Sequence, residues 1–192
     1  MKTIRSFIAI ELKDKDTIEK IISFSQRLKK NQSKIKLVEP VNLHMTMKFL
    51  GNIPETLTPK VYSILQEEIN DKLFHGENFE YRLNGVGQFN RFSVIWIKLH
   101  GNIRFLQNIK DSIEDFLFNK LKIERDKRTK FKPHLTIGRL KKNKINYKTF
   151  DSLKNLINEN RDLEFGIFNI NQVKLKESKL TPKGPIYTDL VY

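Results

Sequence analysis

The chain contains no cysteine among its 192 residues. This absence excludes disulfide bonds, a thiol nucleophile and any zinc site built on cysteine ligands. Long apolar runs are also missing, since the N-terminal stretch Ile4–Leu12 is short and is interrupted by Arg5, Ser6 and Glu11. A membrane span needs about 20 consecutive apolar residues. We therefore expect no signal peptide, no membrane partner and a cytoplasmic location.

Negative charge is in short supply, with 22 acidic residues against 36 lysines and arginines and a formal net charge of +14. Such a balance favours a polyanionic partner such as a nucleic acid, although many lysines in a lysine-rich chain are simply solvated. Nine of the 36 basic residues lie within ten positions of His134. They are Arg125, Lys127, Arg128, Lys130, Lys132, Arg139, Lys141, Lys142 and Lys144.

The chain has four histidines, and two of them open the same pattern of histidine, apolar residue, threonine and apolar residue. The two motifs are His44–Met47 and His134–Ile137. In a strand, residues i and i+2 share one face and the residues between them point the other way. Each motif therefore predicts a His/Thr pair on one face and core residues on the other. The remaining histidines, His75 and His100, lack the pattern and are interpreted as surface residues.

The order of predicted elements repeats in the two halves of the chain. Hydrophobic periodicity and turn signals predict strands over 4–11, 35–38, 43–50, 79–85, 93–99, 133–139, 163–176 and 186–191, and helices over 14–30, 57–73, 103–119 and 147–159. We expect Asn102 to cap the third helix and Thr58-Pro59 to open the second. The pattern predicts an α+β fold with a pseudo-two-fold internal duplication, mainly antiparallel sheets and helices outside. We expect a single domain over 1–192, built from two packed lobes of about 1–90 and 91–192.

Two imidazoles facing one cleft suit acid/base chemistry on a phosphate ester. Neutral imidazole accepts a proton and imidazolium donates one near pH 7, so a histidine pair needs no metal and no cofactor. The hydroxyls of Thr46 and Thr136 would hydrogen-bond the non-bridging phosphate oxygens.

Two basic residues near the motifs are candidates for binding substrate. Lys48, at i+4 from His44, would lie on the face of that histidine in a regular strand. Arg139 has the opposite parity to His134, so it reaches the cleft only if Gly138 marks a bulge or the strand end.

The chain resembles the two-histidine (2H) phosphoesterase superfamily, and more closely its RNA 2′,3′-cyclic phosphodiesterases, also described as 2′-5′ RNA ligases. The resemblance covers nearly the whole length. The segments that carry it are Arg5–Ile10, Asn42–Gly51, Gly85–Phe89, Val94–Trp96, Pro133–Arg139 and Gly184–Tyr187.

This resemblance implies a bilobed fold with the active site in a central groove. It also implies hydrolysis of a terminal RNA 2′,3′-cyclic phosphate to a 2′-phosphomonoester. By the same resemblance, His44 is the proton donor to the leaving 3′ oxygen and His134 is the proton acceptor that activates water. From the residues alone the two motifs are chemically equivalent. We expect RNA as the partner and a monomeric protein.

Other functions fit parts of the pattern. A 2′-5′ RNA ligase would run the same chemistry in reverse, but the chain has no glycine-rich loop of the P-loop type for coupling ATP. A 2′-5′ oligonucleotide phosphodiesterase would use the same residues. A non-catalytic module that binds RNA ends would need the motifs only to hold phosphate. A metal site is disfavoured, since no acidic residue accompanies either motif at ligand spacing.

Overall fold

A computed structural model of the chain describes residues 2–128, 130–182 and 184–192. The strands of these residues are β1 (Thr3–Glu11), β2 (Lys36–Leu37), β3 (His44–Pro54), β4 (Phe79–Phe89), β5 (Val94–His100), β6 (His134–Arg139), β7 (Glu164–Ile170), β8 (Lys174–Thr181) and β9 (Gly184–Asp189). The α-helices are α1 (Lys15–Asn31), α2 (Thr58–Ile64), α3 (Ile103–Leu121) and α4 (Phe150–Glu159). The predicted α+β class is confirmed.

The strands form two antiparallel sheets. One has four strands in the order β3-β1-β8-β9, and the other has five in the order β2-β6-β5-β4-β7. Strands β3 and β6, which carry the two motifs, lie beside each other where the sheets meet. The two sheets share one continuous core, to which the helices contribute their apolar faces.

The sheets do not coincide with the two halves of the chain, which the sequence suggested as lobes of about 1–90 and 91–192. Strand β4 lies in the five-stranded sheet beside β5, whereas β8 and β9 lie in the four-stranded sheet beside β1. The predicted strand over 163–176 is in fact two strands, β7 and β8, which belong to different sheets. Each sheet is therefore completed by strands from the other half, which binds the two halves together.

The helix ends follow the local sequence signals. Asn102 caps α3 as predicted, since its side-chain oxygen accepts a hydrogen bond from the Phe105 N–H at 3.0 Å. Asp14 caps α1 in the same way through the Thr17 N–H at 2.8 Å. The predicted helix over 57–73 begins at Thr58 as α2 and continues over Leu65–Phe74 as a π-helix.

The wider turn of this π-helix suits its buried residues. Leu65, Ile69 and Phe74 are separated by four and five positions, and all three are fully buried. Hydrogen bonding from i to i+5 keeps such a spacing on one face, where a regular α-helix would rotate it away. Within the described residues, no helix is both long and apolar enough to cross a membrane.

Candidate active site

The two motifs occupy equivalent places at the start of β3 and β6. Over six residues from each histidine, the pattern of burial is the same: histidine and threonine are partly exposed, and the apolar residues are buried. The four apolar residues belong to the common core, as predicted. They are Met45, Met47, Leu135 and Ile137.

A β-bulge interrupts each motif strand at the fourth residue of the motif. In the pairing of β1 with β3, Ala9 faces Thr46 and Ile8 faces Lys48, so Met47 is the extra residue. In the pairing of β5 with β6, Trp96 faces Thr136 and Ile95 faces Gly138, so Ile137 is the extra residue. A bulge reverses the alternation of side chains beyond it. The residue four positions after each histidine therefore points to the core, and the fifth returns to the histidine face.

The bulge overturns the prediction that Lys48 shares the face of His44. Only 1% of the Lys48 side chain is exposed, and its Nζ donates to Glu114 Oε2 at 2.6 Å. It also donates to the Glu124 carbonyl at 2.9 Å and to Asp126 Oδ1 at 3.3 Å. The ammonium is committed to buried partners on the far side of the strand.

Arg139 and Phe49 occupy the fifth position after their respective histidines. The sequence predicted that Arg139 reaches the cleft only if Gly138 marks a bulge or the strand end. The observed bulge lies one residue earlier, at Ile137, and it turns Arg139 to the face of His134. Arg139 is exposed, and its charge acts on both His44 and His134. Phe49 is 65% exposed on the corresponding face of β3. One cation thus lies within electrostatic reach of both imidazoles.

Each imidazole is oriented by the main-chain carbonyl two residues before it. His44 Nδ1 lies 2.6 Å from the Asn42 carbonyl oxygen, and His134 Nδ1 lies 2.7 Å from that of Lys132. A carbonyl only accepts, so Nδ1 must carry the proton in both rings. In the neutral ring, Nε2 then has a free lone pair. His44 Nε2 lies 3.1 Å from Thr46 Oγ1, which donates its hydroxyl proton to it.

Aromatic rings flank both histidines. The ring centroids of Phe7 and Tyr187 lie 5.1 Å and 5.4 Å from that of His44. Those of Phe89 and Trp96 lie 5.0 Å and 6.2 Å from that of His134. These rings exclude water from two sides of each imidazole and hold its plane.

The pKa of both histidines is lowered from the ordinary value. Burial is the main cause for each, because it penalises the charged ring. The pKa of His44 falls to about 4, with the nearby charges of Lys176 and Arg139 adding to the effect and the Asn42 carbonyl opposing it. The pKa of His134 is also lowered by burial, and Arg139 contributes. Both rings are neutral at pH 7 in the free protein.

A group of four ionic side chains lies beside His44 on the same sheet. Lys174 Nζ lies 2.7 Å from Glu11 Oε2 and 2.6 Å from Asp189 Oδ2, and Lys176 bonds the same two carboxylates. Glu11 is the direct cross-strand neighbour of His44. At the ring of His44 its charges partly offset each other, since Lys176 lowers the pKa of the imidazole and Glu11 raises it.

The other two histidines lie outside this region, as predicted. His75 is exposed at the end of the π-helix with a left-handed φ of 51°, and His100 donates from Nε2 to the Asn84 carbonyl at 3.1 Å. In the described part of the chain, no group of three or more His, Cys, Asp or Glu residues is arranged to hold a metal ion.

The comparisons with known proteins agree with this geometry. A family model described as the AKAP7 2′5′ RNA ligase-like domain matches residues 6–188. An RNA 2′,3′-cyclic phosphodiesterase of Methanothermobacter thermautotrophicus is 32% identical over 191 residues, covering 97% of this chain and 96% of that protein. One of Methanocaldococcus jannaschii is 35% identical over 188 residues, covering 95% and 96%. The chain is a 2H phosphoesterase.

The fold of this 2H phosphoesterase also matches a solved structure. A crystal structure of a Thermus thermophilus protein superposes with a TM-score of 0.75 at 25% identity, covering 98% of this chain and 96% of that one. The relatives named RNA 2′,3′-cyclic phosphodiesterases, which are 32% and 35% identical over nearly the whole chain, show that this phosphoesterase is an enzyme.

Sequence reasoning missed several residues of the site. It assigned no role to Phe49 or to the rings of Phe7 and Tyr187, although all three lie in segments that carry the family resemblance. One signal was available for Phe49: it stands five residues after His44, as Arg139 stands five after His134. The rings of Phe7 and Tyr187 come from β1 and β9, so only the sheet order brings them to His44.

Proposed function

We propose that this phosphoesterase hydrolyses terminal RNA 2′,3′-cyclic phosphates to 2′-phosphomonoesters, without a metal, through His44 and His134. The observation that carries the proposal is the matched tautomer of the two rings. Each Nδ1 donates to the carbonyl two residues earlier, which leaves each Nε2 to exchange protons with substrate. The relatives named RNA 2′,3′-cyclic phosphodiesterases support the choice of substrate.

In this proposal His134 is the general base. Its neutral Nε2 takes a proton from a water molecule as the water oxygen attacks phosphorus. Burial has lowered the pKa of His134, so the ring is already in the neutral form that this step requires at pH 7.

His44 is the general acid on the opposite side of phosphorus. Its Nε2–H gives a proton to the 3′ oxygen as the bond between phosphorus and that oxygen breaks, and the phosphate stays on the 2′ oxygen. The free ring is neutral, so it must gain a proton when substrate binds. The negative charge of the phosphodiester supplies the reason, because an anion beside Nε2 raises the pKa of the imidazole.

The remaining polar groups stabilise the charge on phosphate. The hydroxyls of Thr46 and Thr136 donate to its non-bridging oxygens, and Arg139 neutralises the charge that grows in the transition state. Lys48 has no part in this, since its ammonium is buried elsewhere. The exposed ring of Phe49 offers a stacking surface to a base near the cyclic end.

The family description also names RNA ligation, in which the 5′ hydroxyl of a second RNA would replace water as the nucleophile that opens the cyclic phosphate. The same acid and base would serve either nucleophile, so residue content does not separate hydrolysis from ligation. Incubation of the cyclic-ended RNA with a second RNA that carries a 5′ hydroxyl decides between them: a 2′-phosphate end indicates hydrolysis, and a new 2′-5′ linkage indicates ligation.

The test is incubation of the enzyme with a short RNA ending in a 2′,3′-cyclic phosphate, in the presence of a chelator. We expect a 2′-phosphate end. A 3′-phosphate end would reverse the assignment of the leaving group. The absence of any product, or activity abolished by the chelator and restored by a divalent metal, would overturn the proposal.

The histidines are tested by His44→Ala and His134→Ala. Each substitution should lower kcat by about 10²-fold or more while binding of the RNA changes little, because a proton-transfer group is lost and the phosphate contacts remain. His100→Ala is the matched control and should keep full activity. Equal loss in the control, or none in the two motif variants, would contradict the assignment.

A further inference from the structure

A buried ionic cluster joins the first motif strand to helix α3 and to the loop that follows this helix. We call Lys48, Lys110, Glu114 and Asp126 the Lys48 cluster. Both lysines bond both carboxylates, and the side chains of Lys48 and Lys110 are 1% and 6% exposed. Two cations and two anions balance, as a buried ionic group requires.

The cluster also holds main-chain atoms. Lys48 Nζ donates to the carbonyl of Glu124 at 2.9 Å, and the N–H of Asp126 donates to Glu114 Oε2 at 3.2 Å. Both atoms belong to residues 122–133, the entry segment, which connects α3 to β6. The described residues of the entry segment form neither helix nor strand. Their position therefore depends on individual anchors and not on a hydrogen-bonded ladder.

The entry segment ends at the group that orients His134. The carbonyl of Lys132 accepts the Nδ1–H of this histidine at 2.7 Å. The preceding residue is anchored as well, because the N–H of Phe131 donates to Gln107 Oε1 at 2.8 Å. The entry segment is therefore anchored near its start by the Lys48 cluster and near its end by Gln107, next to the carbonyl that orients His134.

The corresponding carbonyl of the first motif is held differently. Asn42 lies in a 3-10 turn over Pro40–Asn42, closed by hydrogen bonds from the N–H of Asn42 to the Glu39 carbonyl and from that of Leu43 to the Pro40 carbonyl. That carbonyl is fixed by its own turn. In the described residues before His134 there is no such turn, and Lys48 supplies an anchor from another strand.

We propose that Lys48 is a positioning residue for His134: it pins the entry segment so that the Lys132 carbonyl keeps the imidazole in the Nδ1–H tautomer. In this way the strand of the first motif orients the histidine of the second. The kinetic consequence rests on the proposed function, whereas the effect on the tautomer does not.

The test compares Lys48→Met with Lys110→Met. Both substitutions remove one buried cation from the same cluster, and both should lower thermal stability. Of the two lysines, only Lys48 bonds the main chain of the entry segment, since Lys110 contacts the side chains of Glu114 and Asp126. The readouts are the tautomer of His134, from ¹⁵N NMR of labelled histidine at a pH where the ring is neutral, and kcat on the cyclic-ended RNA.

We expect Lys48→Met to convert a measurable share of His134 to the Nε2–H tautomer and to lower kcat about tenfold, with KM changed less than about twofold. Lys110→Met should keep the Nδ1–H tautomer and kcat within about twofold of the wild type. Equal effects of the two variants would show that the cluster only stabilises the fold, and this would overturn the proposal. An unchanged tautomer of His134 in Lys48→Met would overturn it as well. If the enzyme lacks this phosphodiesterase activity, the NMR readout still decides.

A milder variant covers the case in which Lys48→Met does not fold. Lys48→Gln keeps a hydrogen-bond donor in the cluster but loses the charge and part of the length with which Lys48 reaches the Glu124 carbonyl. It should shift the tautomer of His134 in the same direction by a smaller amount. A wild-type tautomer and kcat in this variant would then overturn the proposal.

Discussion

His44 is buried more deeply than His134, and the cations Lys176 and Arg139 lie near its ring. Its pKa is lowered to about 4, so the ring is neutral at pH 7 in the free enzyme. In the proposed mechanism, bound substrate must therefore raise the pKa of His44 before this ring can donate a proton. The negative charge of the phosphodiester is the group that can do so.

This difference predicts how activity depends on pH. The profile of kcat/KM reports the free enzyme, so its optimum should lie below pH 6.5, since both histidine pKa values are lowered. Activity falls at lower pH as the base gains a proton, and at higher pH as the acid loses one. The profile of kcat should be displaced to higher pH, because bound phosphate raises both pKa values. An optimum of kcat/KM above about pH 7 would contradict the lowered pKa values.

Phe49 predicts a separate effect on substrate binding. Its ring is exposed in the free enzyme, so Phe49→Ala should leave the free energy of unfolding nearly unchanged. Loss of stacking on one base should raise KM on RNA by roughly five- to thirtyfold, equivalent to about 1–2 kcal/mol, with little change in kcat. Phe49→Tyr is the control and should retain the wild-type KM. An unchanged KM in the alanine variant would show that the ring of Phe49 does not contact the substrate.

Strands β4 and β5 approach each other closely beneath His134. A Cβ atom on Gly87 would lie 2.3 Å from Cζ2 of Trp96, so the indole packs directly over the glycine. Trp96 in turn contacts Phe89 and His134. The absence of a side chain at Gly87 therefore allows Trp96 and Phe89 to form an aromatic wall beside His134.

Gly87→Ala should displace Trp96 and disturb that wall. We expect a loss of about 1–3 kcal/mol in the free energy of unfolding, the usual cost of inserting a methyl group into a packed site. Trp96 is the single tryptophan of the chain, so its fluorescence reports the displacement directly. The control is Gly138→Ala, where the added Cβ meets the flexible ends of two side chains, Ile35 Cδ1 at 3.0 Å and Leu37 Cδ2 at 3.7 Å. A wild-type emission spectrum and kcat in Gly87→Ala would show that the wall tolerates the methyl group.

The distribution of charge over the molecule points to a long anionic substrate. The net charge of +14 is accompanied by exposed basic residues on the segment that enters β6, among them Lys127 and Lys130. A field of this sign attracts polyanions irrespective of their sequence, as the proposed RNA substrate requires. The helix α1 carries exposed lysines too, but it packs on the opposite side of the sheets from the His/Thr faces.

This arrangement predicts which lysines govern the salt dependence of binding. The double variant Lys127→Gln/Lys130→Gln should reduce the slope of log K against log salt for a cyclic-ended RNA, by about 0.7 for each phosphate contact that is lost. The control Lys15→Gln/Lys20→Gln removes the same charge from α1 and should leave the slope almost unchanged. Equal slopes in the two variants would show that net charge, and not the entry segment, attracts the RNA.

Local patterns were sufficient to predict much of this enzyme. The alternation of residues in each His-x-Thr motif places Met45 and Leu135 in the core, and the cap at Asn102 begins α3, because these features depend on neighbours within a few residues. The order of strands and helices and the α+β class follow from similar short-range signals. The roles of His44 as acid and His134 as base, the monomeric state and the cytoplasmic location stay predictions.

Contacts between distant residues decided the rest. The bulges at Met47 and Ile137 depend on the pairing of each motif strand with its neighbour, and they turned Lys48 into the core and Arg139 to the face of His134. The exchange of β4 and β8 between sheets, and the rings that flank each histidine, likewise arise from pairings across many tens of residues. No periodicity within one strand records such pairings. The local sequence thus determines the strand position of the two histidines, whereas the residues that surround them are brought together only by the tertiary fold.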